Sequence, residues 1–391
     1  MTTFGEKTQE LMSQQGFSLR KLAKAANYDV GYLSKIVNDH KPPSVPLAQR
    51  LESVLGVDGE LMELVPVLPD VTEDVIDILR RVHKLNRSVD PAIICQMRDT
   101  LGNAVTGYEQ ASHSHLAPML CKQRAWIDEL IQDCNDPAQR QQLFEIAGGT
   151  SGVLGYIATG LGNFPLARAY CAEAFQLATL AQTANLQAWA RGMQSFCEYY
   201  AHDYDEALRL AVDGLTHAES QPQSVRLTLN GVARALGKLG DVEGVHSAVA
   251  SAYDLLSCNQ VPSGVPSSIS LGCYSAAQAA SNAATAYLSL GMPDKVRQYV
   301  TLALPDIDSS ESPWSRSLIM IDYAASLVPS EDADVEHISS LALDALSISA
   351  GRPIISVQQR AIELVRQASQ RWPTADQLGQ VRHAISEWGA R

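Results

Sequence analysis

From the first residues onward, apolar positions recur every three or four residues, the spacing of one buried helix face. Thr3 to Gln15 reads as a first helix, ended by Gly16, a residue free to turn left-handed. Ser18 caps a second helix, LRKLAKAA, whose Leu19, Leu22, Ala23 and Ala26 form one stripe. Asn27-Tyr28-Asp29 supplies a turn, with Asn27 suited to left-handed backbone. Asp29 caps a third helix, VGYLSKIVND, that turns Leu33, Ile36 and Val37 inward. After Pro42-Pro43, Ser44 caps a fourth, from which Leu47, Ala48, Leu51 and Leu55 pack back.

Val57 to Asp70, with Pro66 and Pro69, reads as a linker. Helical patterns then follow at about 72–86, 90–110, 115–133 and 138–160, two of them opened by Asp90-Pro91 and Asp136-Pro137. Beyond them a repeat emerges. GLGNFPLARAYCAEAFQLA, YAHDYDEALRLAVDGLTHA, KLGDVEGVHSAVASAYDLL and SLGMPDKVRQYVTLALPDI each set a turn before an amphipathic helix. Phe164, Tyr204, Val242 and Pro293 start those helices, and Ala167, Ala207, Val245 and Val296 follow three residues later. The steps are 40, 38 and 51 residues. The long step holds CNQVPSGVPSSISLG, a Pro-, Ser- and Gly-rich stretch expected to be a surface loop. A fifth unit near 332–349 and a helical pair at 353–388 close the series. The expected division is 1–65, a connecting segment 66–140, and a repeat domain 141–391.

Two short helices joined by a tight turn and clamped by neighbours make a helix-turn-helix. The run from Ser18 to Gly56 resembles the Xre/phage-repressor family through Leu22-Ala23, Tyr32-Leu33-Ser34, Ile36, Pro43-Ser44, Ala48, Leu51, Leu55 and Gly56. Asn27 and Asp39 stand where that family usually has glycine, and both residue types tolerate left-handed backbone. The resemblance implies that the third helix enters the major groove of an operator. Val30, Gly31, Ser34 and Lys35 would then face base edges, with Asp29 and Tyr32 at the rim. Lys35 suits a guanine O6/N7 contact and Val30 a thymine methyl. Ser18, Lys24, Asn38, His40 and Lys41 flank that face as expected phosphate contacts.

Helix pairs of 34–40 residues with small residues at close-packing positions resemble tetratricopeptide repeats, although the full signature is absent. An irregular α-solenoid would offer the same binding geometry. Stacked pairs curl into a superhelix with a concave groove. The groove helices are expected at about 141–160, 185–201, 223–239, 272–290 and 313–327. Gln187, Arg191, Arg226, Asn230, Arg234, Gln278, Asn282 and Arg316 are their polar residues, and Tyr274, with Trp189, Tyr199 and Tyr287, can supply apolar walls. Asn can hold a peptide backbone and Arg a carboxylate. An Xre-type head on such a body is also the architecture of peptide-pheromone-responsive regulators and of many regulators in high-GC Gram-positive bacteria. That resemblance implies an all-α homodimer whose repeats sense a small molecule or short peptide. A protein partner gating the head, with no small ligand, is the alternative.

Composition agrees. A chain of 391 residues suggests two or three folding units, and 46% hydrophobic content against 19% charged supplies a core. The net charge of −13 hides a split: residues 1–56 carry seven basic side chains against five acidic ones. Phosphate contacts depend on that local face and not on the whole-chain sum. Seven scattered cysteines with no C-x-x-C pair read as reduced thiols filling apolar space. No signal peptide or membrane span is legible, so a cytoplasmic protein is expected. Gly148-Gly149-Thr150-Ser151-Gly152 lacks the lysine and strand of a P-loop, and close helix packing accounts for it. His113-Ser114-His115 with Cys121 lacks a fourth metal ligand. No catalytic set is legible, and neither cofactor nor enzymatic activity is expected.

Overall fold

The computed structural model describes residues 3–57, 59–65, 74–86, 89–111, 113–218, 222–258, 264–310 and 312–389, and no strand occurs among them. Pro66 and Pro69 of the expected linker lie outside the described residues. Two compact units result, Met1–Val75 and Ile76–Arg391.

The first unit holds α1 (Phe4–Gln14), α2 (Leu19–Ala26), α3 (Val30–Val37) and α4 (Val45–Leu55), followed by a 3-10 turn at Met62–Leu64. Ser18 Oγ accepts from the Lys21 N–H, Asp29 Oδ1 accepts from Tyr32, and Asn27 has φ of 61°. Ser44 occupies the cap position of α4 but makes no side-chain cap bond there. Leu22, Leu33, Ile36, Leu47, Leu51 and Leu55 are completely buried. Glu52, itself buried, accepts the N–H groups of Leu61 and Met62 at 2.8 and 2.9 Å and so pins the 3-10 turn to α4. Asp39 takes left-handed backbone at φ 56°. Its carboxylate accepts from Thr3 Oγ1 at 2.5 Å and Gly5 N at 3.1 Å, tying the start of α1 to the end of α3.

The division falls at the first residue of α5 (Val75–Asn86), and α6 (Pro91–Thr106) and α7 (His113–Asp133) follow in the second unit. Helix pairs follow: α8 (Pro137–Gly160) with α9 (Phe164–Leu180), and α10 (Ala184–Tyr200) with α11 (Tyr204–Ala218). The next rod runs through α12 (Ser224–Arg226), a π segment (Leu227–Ala233) and α13 (Arg234–Leu239), and pairs with α14 (Val242–Cys258). Then come α15 (Ala276–Ser289) with α16 (Pro293–Asp308), α17 (Pro313–Leu327) with α18 (Val335–Ile348), and α19 (Ile355–Arg371) with α20 (Asp376–Gly389). The repeated helices start at Phe164, Tyr204, Val242 and Pro293 as the sequence spacing requires. Ala167, Ala207, Val245 and Val296 are wholly buried.

Small residues set the spacing of the rods. A Cβ at Gly152 would lie 2.0 Å from Trp189, and one at Gly231 would lie 2.5 Å from Ala211 Cβ. Gly148, Gly149, Gly152 and Gly155 of α8 therefore serve close helix packing.

The repeat stack closes on itself. Gln359 of α19 donates to the Tyr200 carbonyl at 3.0 Å, Lys238 pairs with Glu363 at 2.7 Å, and Arg352 donates to the Glu109 carbonyl. Trp314 of α17 packs against Tyr108 and His113, with ring centroids 5.4 and 5.6 Å apart. The expected groove has become an interior.

The insertion after α14 departs from expectation as well. Residues 259–263 lie outside the described residues, but 264–275 is no free surface loop. Ile269 is fully buried. Its carbonyl accepts from Trp189 Nε1 at 3.1 Å, the Leu271 carbonyl from Asn185 and Gln223, and the Pro266 carbonyl from Gln278. Glu109 accepts the Ser268 N–H at 2.9 Å. Backbone carbonyls drawn away from water need such donors, and helices from several repeats provide them.

Candidate functional site

In the head, α3 buries Leu33, Ile36 and Val37 and leaves Val30, Gly31, Lys35 and Asn38 exposed. Ser34 is half-buried, and Asn38 Nδ2 donates to its carbonyl at 2.8 Å and its hydroxyl at 3.3 Å. Tyr32 is half-buried too, stacked on Tyr28 with ring centroids 5.9 Å apart. The Lys41 ammonium lies 4.7 Å from the Tyr32 ring centre. Backbone N–H groups of His40 and Lys41 close α3 on the Lys35 carbonyl. Ser18 and Lys24 lie exposed at the two ends of α2.

Of the expected base-facing residues, Val30, Gly31 and Lys35 are exposed on α3 and Ser34 is half-buried, while Ser18 and Lys24 belong to α2. Ser18 and Asp29 already use their side-chain oxygens as caps. Asp39, just past the end of α3, is engaged by α1.

In the second unit, a cavity of about 80 Å³ lies inside the closed stack. Asn230, Arg234, Tyr274, Gln278 and Asn282 line it, five of the residues expected at the groove. The rod from α12 to α13 places Arg226, Asn230 and Arg234 on one face, and the π segment between them is a geometry often found at functional sites. Arg234 donates to Asn230 Oδ1 and, at 2.8 Å, to the Tyr200 hydroxyl, with its guanidinium 4.1 Å from the Tyr199 ring. Asn282 donates to the Tyr274 hydroxyl at 3.2 Å. Arg226 is buried with its guanidinium 5.1 Å from the Tyr274 ring, which also lines the cavity.

Gln187 and Arg191 lie elsewhere. Gln187 donates to Thr179 at 3.2 Å, and Arg191 pairs with Asp213 at 2.5 Å while covering the Phe175 ring at 3.6 Å. Both lie between α9, α10 and α11.

Sequence reading missed Tyr156, Phe196, Tyr200, Trp314, Glu109 and Arg360 of the cavity wall. Tyr200, four residues past Phe196 on a groove helix, had a legible signal in that spacing. Arg360 had none, because the closing pair reaches the interior only when the ends meet. Arg360 donates to Asp322 at 2.7 Å, and Asp322, fully buried, also accepts from Thr285 at 2.8 Å. Burial pushes the Asp322 carboxyl up, and Arg360 opposes that.

Of the cysteines, Cys134, Cys171 and Cys197 are buried while Cys95, Cys121 and Cys258 are exposed. Among the described residues no helix is long and apolar enough to cross a membrane.

No curated protein matches the chain. A solved structure, Bacillus thuringiensis PlcR in complex with the peptide PapR7 and DNA, is similar at 12% identity, covering 66% of this chain and 95% of that one with a TM-score of 0.29. Residues 9–61 match the helix-turn-helix family model, so the N-terminal unit of this chain is a helix-turn-helix domain.

Proposed function

We propose that the chain is a sequence-specific DNA-binding transcriptional regulator. In this reading α3 enters the major groove, and the helical-repeat unit senses a small molecule or short peptide and controls operator binding as a homodimer. One observation carries the reading: α3, inside a matched helix-turn-helix domain, buries its apolar face completely while Val30, Gly31 and Lys35 stand free on the other. Half-sites about one helical turn apart follow for a two-fold dimer. A ligand that binds one head arrangement better than the other shifts the population by that difference and no more.

Mapping of bound sites across the host genome, followed by fluorescence anisotropy on the recovered fragments, tests it. The expected result is salt-sensitive affinity that prefers those fragments over random duplex. Equal affinity for both would remove the regulator reading. The 264–275 segment, held by side chains from several repeats, supports a second route in which a protein partner and not a small ligand acts on the repeats. Recovery of a stoichiometric protein on the full-length chain would favour it.

A further inference from the structure

A surface helix needs one apolar face, and α5 carries two. Its inner face is accounted for. Ile76 is buried, Leu79 packs against the same core, Lys122 of α7 pairs with Asp77 at 2.5 Å, and Arg80 pairs with Glu129 at 3.4 Å. The outer face is not. Val75 and Ile78 are 54% and 41% exposed, Val82 is half-buried, and none of the three enters a hydrophobic cluster of the described residues. Scattered exposed apolar residues need no explanation, but these are ordered. In the sequence Val75, Ile78, Val82 and Leu85 are spaced by three, four and three residues, the a and d steps of a heptad. Such spacing belongs to a helix packed along another helix, because a 3.5-residue repeat keeps one seam facing its partner.

Charge complementarity names the partner. Before Ile78 the sequence carries Asp70, Glu73, Asp74 and Asp77, and after Leu79 it carries Arg80, Arg81, Lys84 and Arg87. That order suits the dipole of α5 itself, and it also makes the stripe acidic at one end and basic at the other. A second copy laid parallel would set like charges side by side. One laid antiparallel sets acid against base at both ends, and the two copies then share a two-fold axis and offer each other the same surface. Asp74 and Arg81 hold successive g steps beside the stripe, the positions from which charged side chains set partner and orientation.

We propose that the outer face of α5 is a self-association seam, in which Val75, Ile78 and Val82 of two copies interdigitate antiparallel about a two-fold axis. Asp74 of each copy then faces Arg81 of the other. A helix of 12 residues is about 18 Å long, so the seam is short and the dimer reversible. The proposal gives the homodimer of the regulator reading its interface, and rests on that reading only for its meaning on DNA.

Sedimentation equilibrium of the full-length chain over a wide range of concentration tests it. The expected result is a reversible dimer with a dissociation constant in the micromolar range. Ile78→Lys should weaken that dimer about tenfold or more. Its helix content, read by circular dichroism at monomer concentrations, should match the wild type, because Ile78 leaves water only in the dimer. Leu302→Lys, at a residue of α16 that is 58% exposed, should leave the dimer intact. Asp74→Arg and Arg81→Asp should each weaken association, and the two together in one chain should restore it, since the exchange again sets acid against base between antiparallel helices. The proposal is overturned by a chain that stays monomeric, by a dimer indifferent to Ile78→Lys or equally broken by Leu302→Lys, or by a double exchange that fails to restore association. Operator affinity measured on the same samples separates the two readings. A dimer with no operator preference removes the regulator and leaves the seam standing, whereas a monomer that still prefers its operator removes the seam alone.

Discussion

Trp189 lies against Gly152 and donates its indole N–H to the Ile269 carbonyl at 3.1 Å. One side chain thereby joins α8, α10 and the 264–275 segment. Gly152→Ala puts a Cβ where the indole ring sits and forces it away. The expected cost is about 1–3 kcal/mol, the usual scale of overpacking. Urea unfolding followed by tryptophan fluorescence checks it, and unchanged stability would show that the indole is free to move.

Lys35 and Lys24 are predicted to behave differently on DNA. Lys35→Ala should weaken the preferred operator by about 1–3 kcal/mol and relax preference at one base position. Lys24→Ala should weaken all duplexes alike and reduce the salt slope by about one. Anisotropy titrations at several salt concentrations separate the two. Identical behaviour of both variants would contradict the assignment of α3 as the reading helix.

Asp39 holds the start of α1 through Thr3 and Gly5 while standing in left-handed backbone. Asp39→Ala removes both contacts and keeps the backbone strain, so a loss of about 1–2 kcal/mol is expected. Asp39→Gly, which relieves the strain, should lose less. Amide exchange at the first turn of α1 reads the difference. Equal protection in all three proteins would count against a capping role.

Asp322 and Arg360 form a buried pair. Arg360→Met strands the carboxylate, and about 3–5 kcal/mol of stability should go with it. The double substitution Arg360→Met with Asp322→Leu should recover most of that. A double-mutant cycle from denaturation midpoints measures the coupling, and simple additivity would dismiss it.

Burial, with Arg352 adding to it, lowers the His113 imidazole below its ordinary 6.5. The unfolded chain therefore takes up this proton at higher pH than the folded one. Stability is fully present above that ordinary value and falls as pH drops through it towards the lower folded value. His113→Phe, which keeps a ring beside Tyr108 and Trp314, should flatten this part of the stability profile. Melting curves between pH 7 and pH 5 suffice, and a slope identical to wild type would exclude His113 as its source.

The helix-turn-helix head was legible because its determinants are local. Ser18, Asn27 and Asp29 fix ends and turns within a few residues, and the apolar stripe fixes which face is buried. The repeat helices were legible for the same reason, down to their starts at Phe164, Tyr204, Val242 and Pro293. Groove membership was harder to read. Asn230, Arg234 and Asn282 came out at the cavity, but Gln187 and Arg191 went to the contacts of α9, α10 and α11. A helix turns a new face every residue, and its neighbours decide which face is inner.

The chain by itself determined where helices begin, which stripes are apolar and which residues suit DNA. Only the tertiary structure decided that the repeats close on themselves, that side chains from several helices hold 264–275, and that Arg234 and Arg360 line one cavity. Solenoid curvature is the sum of small rotations from one helix pair to the next. That sum, more than any local pattern, brings Glu109 to Ser268 and Arg360 to Asp322.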